Sequence, residues 1–278
     1  MKDLRVALVV CNARVGDIGP NLEKVAFFSR EARKAKVDII CFPEMNISGY
    51  SNDDAVRDLA QDIPGPVSDR LCGLAASNGC AILAGMAART ADGHVVAAHM
   101  AAMPDGRMGV YRKCHIAPPE IEFYSPGEST PLFTHGQTTF GIQLCYDAHF
   151  PELSTSMALK GAEIIFMPHA SPRGFAVQKQ RSWLRHLTAR AFDNSVFIAA
   201  CNQTGPNGKG LVFPGNAVAL DPAGNIMGQC LHGRETMLVV DLRAEILARV
   251  RNNRMHYFLP HRRPELYEKR PSAISDKP

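Results

Sequence analysis

Short, β-branched apolar runs alternate with helical patterns twice along this chain, once in each half. The first round predicts a strand over 4–11, a helix over 21–36 and a strand over 38–42, which Pro43 ends. The second predicts a strand over 140–145, a helix over 151–160, a strand over 163–167, a helix over 177–192 and a strand over 196–201. Strands that alternate with helices in this way build βαβ units, which puts the chain in the α/β class.

Between the two rounds the pattern changes. A helix over 67–77 follows Pro64-Gly65-Pro66, and strands over 81–87, 95–103 and 107–111 then adjoin one another, the last two across the turn Pro104-Asp105-Gly106. Adjoining strands form hairpins. Residues 113–134 are rich in Pro and Gly and read as a long ordered loop, a kind of segment that in compact domains more often carries function than not. A hairpin across 221–225, a strand over 237–241, a helix over 243–251 and a basic, Pro-containing tail from about residue 252 complete the chain. With no low-complexity linker, the 278 residues read as one domain of two pseudo-symmetric halves.

Composition narrows the function. The 31 Lys+Arg and 27 Asp+Glu are interspersed and leave a net charge of +4, so no broad field marks a nucleic-acid or anionic-membrane partner. The longest charge-free apolar stretch, 71–88, is broken by Ser77-Asn78-Gly79, so no transmembrane span is expected, and the apolar run at 6–11 is short for an export signal. Eight cysteines without a Cys-x-x-Cys pair suit a reducing cytoplasm, where each is by default a buried thiol. No metal or cofactor is implied: the zinc-deaminase and Gly-x-Ser-x-Gly signatures are absent, and Gly205 to Gly210 lacks phosphate-loop spacing and reads as a turn.

Three segments place a reactive group where a predicted strand ends. Phe42-Pro43-Glu44 offers a carboxylate, Tyr111-Arg112-Lys113 an amine and Gln143-Leu144-Cys145-Tyr146-Asp147 a thiol before a helix. Ligands of open α/β sheets bind beyond the carboxyl ends of strands, so the three side chains are candidates for one cleft. A free thiol has a pKa near ~8.5, and a cation and a helix N-terminus both favour its thiolate. Lys113 and the helix beginning near Pro151 are positioned to supply them. In this arrangement Glu44 takes the thiol proton and later activates water, while Lys113 and the Tyr146 backbone N–H stabilise an oxyanion. Cys114, beside the lysine, points to the other face and reads as core.

At these segments the sequence resembles the carbon–nitrogen hydrolase (nitrilase-like) superfamily, whose marks are Phe-Pro-Glu, Tyr-Arg-Lys and a Cys-Tyr-Asp followed by Phe-Pro-Glu. Here they stand at 42–44, 111–113 and 145–152, and the resemblance runs on to the tail motif at 261–267. It implies a four-layer α-β-β-α sandwich of two mixed sheets, a Glu44-Lys113-Cys145 catalytic triad, hydrolysis through a thioester without a cofactor, and a homodimer or an assembly of dimers. The tail would then pack on the partner subunit. A fourth position, a glutamate five residues before Ser125-Pro126-Gly127, falls on Glu120, with Glu122 the nearby competitor.

The same resemblance narrows the reaction. Nitrilases usually carry Trp-Glu after the cysteine and amidase-like branches Tyr-Asp, so Tyr146-Asp147 favours a small-molecule amide. The N-carbamoyl-D-amino-acid branch holds its substrate carboxylate with an arginine pair where this chain has Ala148 and His149, neither able to form two parallel bonds. His169 and Arg173, in the loop after a strand, join Tyr146 and His149 as candidate substrate contacts, and Arg173 is one group able to rebuild an anion site. The alternatives are an N-carbamoyl amide or nitrile hydrolase of the same superfamily, or a weakly active member with a binding or redox-sensing role.

Overall fold

The computed structural model describes residues 1–267. Its first half runs β1 (Leu4–Val10), α1 (Ile18–Lys34), β2 (Ile39–Cys41), α2 (Ala55–Leu59), β3 (Gln61–Asp62), α3 (Pro66–Asn78), β4 (Ala81–Arg89), β5 (Val95–Ala102) and β6 (Met108–Arg112). The second runs β7 (Phe133–His135), β8 (Thr138–Ile142), α4 (Pro151–Leu159), β9 (Ile164–His169), α5 (Ala176–Asn194), β10 (Phe197–Asn202), β11 (Thr204–Pro206), β12 (Val212–Pro214), β13 (Ala217–Leu220), β14 (Ile226–Cys230), β15 (Thr236–Leu242) and α6 (Ala244–Arg251).

The strands form two mixed sheets of matching design. One has the order β15-β1-β2-β4-β5-β6, with β3 beside β4, and the other β14-β13-β10-β9-β8-β7. In the first, β1, β2 and β4 are parallel and β5 and β6 return as hairpins. In the second, β8, β9 and β10 are parallel and β13 and β14 return in the same way. Each parallel triplet carries one antiparallel strand on its other side, β15 on β1 and β7 on β8.

Burial on both faces explains the continuous apolar strands. Val6, Leu8 and Val10 of β1 join the core shared with Phe166, Ile198 and Val218 of the second sheet. Ala7 and Val9, one residue out of step, join the core beneath α1 and α3, where Leu22, Val25 and Ala32 pack beside Leu71 and Ala75. The layers are therefore helix, sheet, sheet, helix. Pro66 opens α3 and Gly79, at φ +67, closes it in the left-handed conformation that glycine adopts without strain. Arg251 ties α6 to the second sheet through the Ser195 and Ala162 carbonyls.

The second-half strand expected over 140–145 ends at Ile142, and the thiol lies on a turn beyond it, for a reason given below. The short α2, β3, β11 and β12 have too few residues to show a period. Gly205 to Gly210 runs from β11 into the turn that leads to β12. The tail folds back onto its own chain, with Phe258 against Phe192 of α5 at a ring separation of 5.4 Å, and residues 268–278 of the expected tail lie outside the described residues. Among the described residues no helix is long and apolar enough to cross a membrane.

His99 is fully buried on β5, and among the described residues neither of its ring nitrogens has a hydrogen-bond partner. Burial pushes its pKa down from 6.5 to about 3. Below pH 6.5 the unfolded chain therefore binds the proton that the folded chain refuses, and stability falls as pH falls toward 3. We expect His99→Leu to be neutral or stabilising at pH 7, and to flatten the acid limb of a plot of urea midpoint against pH.

Candidate active site

Three strand ends meet between the sheets. Lys113 follows β6 and keeps its backbone on the ladder through Ala97 O at 2.9 Å. Its ammonium donates to Glu44 Oε1 at 2.9 Å and Glu120 Oε2 at 2.8 Å, and no member of this chain is more than 5% exposed. Glu44 follows β2 at a sharp corner, where Met45 takes φ +57. The second Glu44 oxygen accepts the Ala170 N–H at 2.9 Å, and its carbonyl accepts Gln203 Nε2 at 2.8 Å. Glu120 also accepts the Tyr50 hydroxyl at 2.8 Å and the Ala117 N–H at 3.3 Å. Of the two acids near Ser125, Glu120 is inside this network and Glu122 is on the surface.

Burial sets the electrostatics. It raises the Glu44 carboxyl above the usual range against the opposing pull of Lys113, and the Glu120 charge raises it further. For Lys113 burial acts downward, but the two carboxylates outweigh it and hold the amine well above its ordinary pKa. Lys113 is therefore a fixed cation, and Glu44 is a carboxylate with increased affinity for a proton.

Cys145 opens a short 3-10 turn over Cys145–His149 at φ +45, a conformation disfavoured for a side-chain-bearing residue. Asp147 holds that turn. Its fully buried carboxylate accepts Tyr111 Oη at 2.7 Å, the Leu144 N–H at 3.0 Å, the His115 N–H at 2.8 Å and His115 Nδ1 at 2.9 Å. These bonds draw the backbone out of β8, which is why the strand ends before the thiol. The helix expected to face the thiol, α4, starts only at Pro151, beyond the turn. Burial raises the Cys145 thiol, Glu44 adds to the rise, and Lys113 opposes it. A thiol raised in this way needs a base to give up its proton.

The remaining candidates come from the Cys145 turn and from the end of β9 and the loop after it. Tyr146 is half-buried against Phe150, and exposed His149 turns toward His186 at 4.4 Å. His169 is buried, donates Nδ1–H to Met167 O at 2.7 Å and stacks on Trp183 at 4.1 Å. Arg173 is exposed, at φ +71. Tyr50, the Ala170 N–H and Gln203 are participants that the sequence reading missed, because each reaches the site from a separate element. Only Tyr50 carried a local signal, following Gly49 in the loop just after Glu44.

Comparison with known proteins identifies the family. The family described as carbon-nitrogen hydrolase matches residues 5–252. A protein of Pseudomonas protegens described as the hydrolase in the pqqF 5′ region is 32% identical over 275 residues, 96% of this chain and 92% of its own. An (R)-stereoselective amidase of a Pseudomonas species is 27% identical, over 90% of this chain and 89% of its own. Among solved structures, a mutant amidase from Nesterenkonia sp. AN1, showing the result of Michael addition of acrylamide at its active site cysteine, has a TM-score of 0.81 and 26% identity, covering 95% of this chain and 98% of that one. The architecture is that of the nitrilase superfamily, the α-β-β-α sandwich. The chain belongs to the carbon–nitrogen hydrolase family, and within it to the amidase-type branch of enzymes.

Asp147→Asn sets an amide NH2 among donors. We expect it to cost about 3 kcal/mol in urea denaturation, the scale of one or two hydrogen bonds to a charged group, and to speed iodoacetamide labelling at Cys145 as the turn loosens.

Proposed function

We propose that the enzyme hydrolyses the amide bond of a small molecule through a Cys145 thioester. The observation that carries this reading is the buried chain Glu44···Lys113···Glu120 beside a cysteine held at φ +45. The Cys145 sulfur attacks the amide carbon as its proton passes to Glu44, whose raised proton affinity suits the transfer. The carbonyl oxygen becomes an oxyanion beside the Lys113 ammonium and the Tyr146 N–H, which as the second residue of the 3-10 turn has no partner within it. Collapse breaks the C–N bond, and Glu44 returns its proton to the departing ammonia or amine. Water then gives Glu44 a proton and attacks the thioester, which releases the acid and restores the thiol. Glu120, with Tyr50 behind it, keeps Lys113 charged and oriented.

Tyr146-Asp147 supports an amide over a nitrile, and Ala148-His149 speaks against an N-carbamoyl-D-amino acid. Tyr146, His149, His169 and Arg173 are proposed to line the substrate cleft. We further propose one domain over 1–278 that pairs as a homodimer or an assembly of dimers. Met255, Leu266 and Tyr267 of the tail, 80%, 58% and 62% exposed, are the surface it offers to a partner. Eight free cysteines support a reducing, cytoplasmic setting.

Replacing Lys113 by Ala is expected to lower kcat by about 10²–10³, and Glu44→Gln by about 10²–10⁴. A Lys113→Ala enzyme with more than about a tenth of wild-type kcat would exclude the oxyanion role, since that is a loss of only ~1.4 kcal/mol. Ammonia release from matched amide, nitrile and N-carbamoyl compounds should be fastest for the amide, with an acyl mass trapped on the Cys145 peptide. An adduct on Cys201 or Cys114, or a nitrile turned over faster than its amide, would overturn the reading. Light scattering at micromolar concentration should show a dimer or larger, and a particle of only 30.3 kDa would contradict pairing.

A further inference from the structure

We propose that the acyl part of the substrate carries a carboxylate, and that Lys179, assisted by Arg173, receives it at the mouth of the Cys145 site. This rests on the amide-hydrolase reading and adds to it the charge of the substrate.

Lys179 is half-buried in the first turn of α5, and its ammonium donates to Ser171 Oγ at 2.8 Å and Pro172 O at 2.9 Å. Both acceptors are neutral. An ammonium has three N–H donors, so one remains for a ligand. The loop that holds it is joined to the site by hydrogen bonds. Ser171 N–H donates to Asn202 Oδ1 at 2.9 Å, Asn202 Nδ2 returns to Ser171 O at 3.0 Å, and one residue earlier the Ala170 N–H holds Glu44. Arg173 follows on the same loop, its left-handed backbone fixed by an N–H bond to Val212 O at 3.0 Å.

Neither cation has a carboxylate partner among the described residues, in contrast to Lys113, which has two. From Ile164 to Phe192 the chain carries no Asp or Glu but five Lys and Arg, so the neighbourhood supplies no counter-charge. Burial lowers the Lys179 pKa, and the positive charge of Arg173 acts in the same direction. A half-buried ammonium paired with another cation loses hydration without gaining an ion partner, and a bound carboxylate supplies one. Phe175 and Val212, 76% and 60% exposed, flank Arg173 and offer apolar surface to the methylenes that separate a carboxylate from its amide.

The test compares kcat/KM for succinamate or glutaramate with that for a neutral amide of matched carbon skeleton. Wild type, Lys179→Met, Lys179→Arg and Arg173→Gln are measured, with melting curves to confirm folding. Wild type should prefer the carboxylated amide by about tenfold or more, mainly through KM, the scale of one hydrogen bond to a charged group. Lys179→Met should remove most of that ratio, Lys179→Arg should keep much of it, and exposed Arg173→Gln should lower it by a smaller factor. Turnover of both amides without preference, or a ratio that Lys179→Met leaves in place, overturns the proposal alone. Turnover of neither amide overturns the amide-hydrolase reading and this proposal with it.

Discussion

A single ammonium, that of Lys113, sets the terms for the interior. Removing an ion from water costs several kcal/mol even after relaxation, and that cost is offset only by close, well-hydrogen-bonded partners. Lys113 has two, Glu44 and Glu120, at 2.9 and 2.8 Å. One cation cannot neutralise two carboxylates, and burial raises the proton affinity of Glu44 in response. The imbalance makes Glu44 the acid able to take up and return a proton, while Glu120 is held by the Tyr50 hydroxyl as well as by Lys113. The charge arrangement that the fold must stabilise is therefore the same one that suits acid–base chemistry.

A second carboxylate has a different task. Asp147 touches no member of the Glu44-Lys113-Glu120 chain. It gathers donors from the end of β6, through Tyr111, from the long loop, through His115, and from the segment after β8, through Leu144. Four bonds on one buried group offset the strain of a left-handed Cys145. His115 is fixed in turn by stacking on Phe150 at 3.7 Å. The thiol is thus carried on a turn pinned to the first sheet's hairpin, although it follows a strand of the second.

Strand and helix order was legible because period and burial coincide: β1 is apolar on both faces, and α1 repeats its buried positions at helical spacing. Glu44, Lys113 and Cys145 were legible as local motifs at strand ends. What spacing left open was decided by burial, which separates Glu120 from Glu122 although only one residue lies between them. The end of β8 was misplaced because Phe140 to Cys145 is apolar enough to continue as a strand, and the group that stops it, Asp147, acts through partners more than thirty residues away in the sequence. Gln203 gave no signal, since it looks like an ordinary polar residue until the end of β10 is brought against Glu44.

The pseudo-symmetry explains why those loops meet. β2 and β9 are the middle strands of the two parallel triplets, and Glu44 and Ala170 both lie just beyond their ends. The 2.9 Å bond from the Ala170 N–H to Glu44 Oε2 is therefore a contact between corresponding loops of the two halves, across the seam of the sandwich. Gln203, after the third strand of the second triplet, grips the Glu44 carbonyl from the same side. The rise of one residue along a strand is about 3.3 Å, so a slip of either sheet by one residue would break both bonds. Glu44 belongs by sequence to the first sheet, but one oxygen of its carboxylate is held by the second. The position of that group is then set by the apolar packing between the sheets, and a core substitution that shifts their register without unfolding them reaches the site through these two bonds.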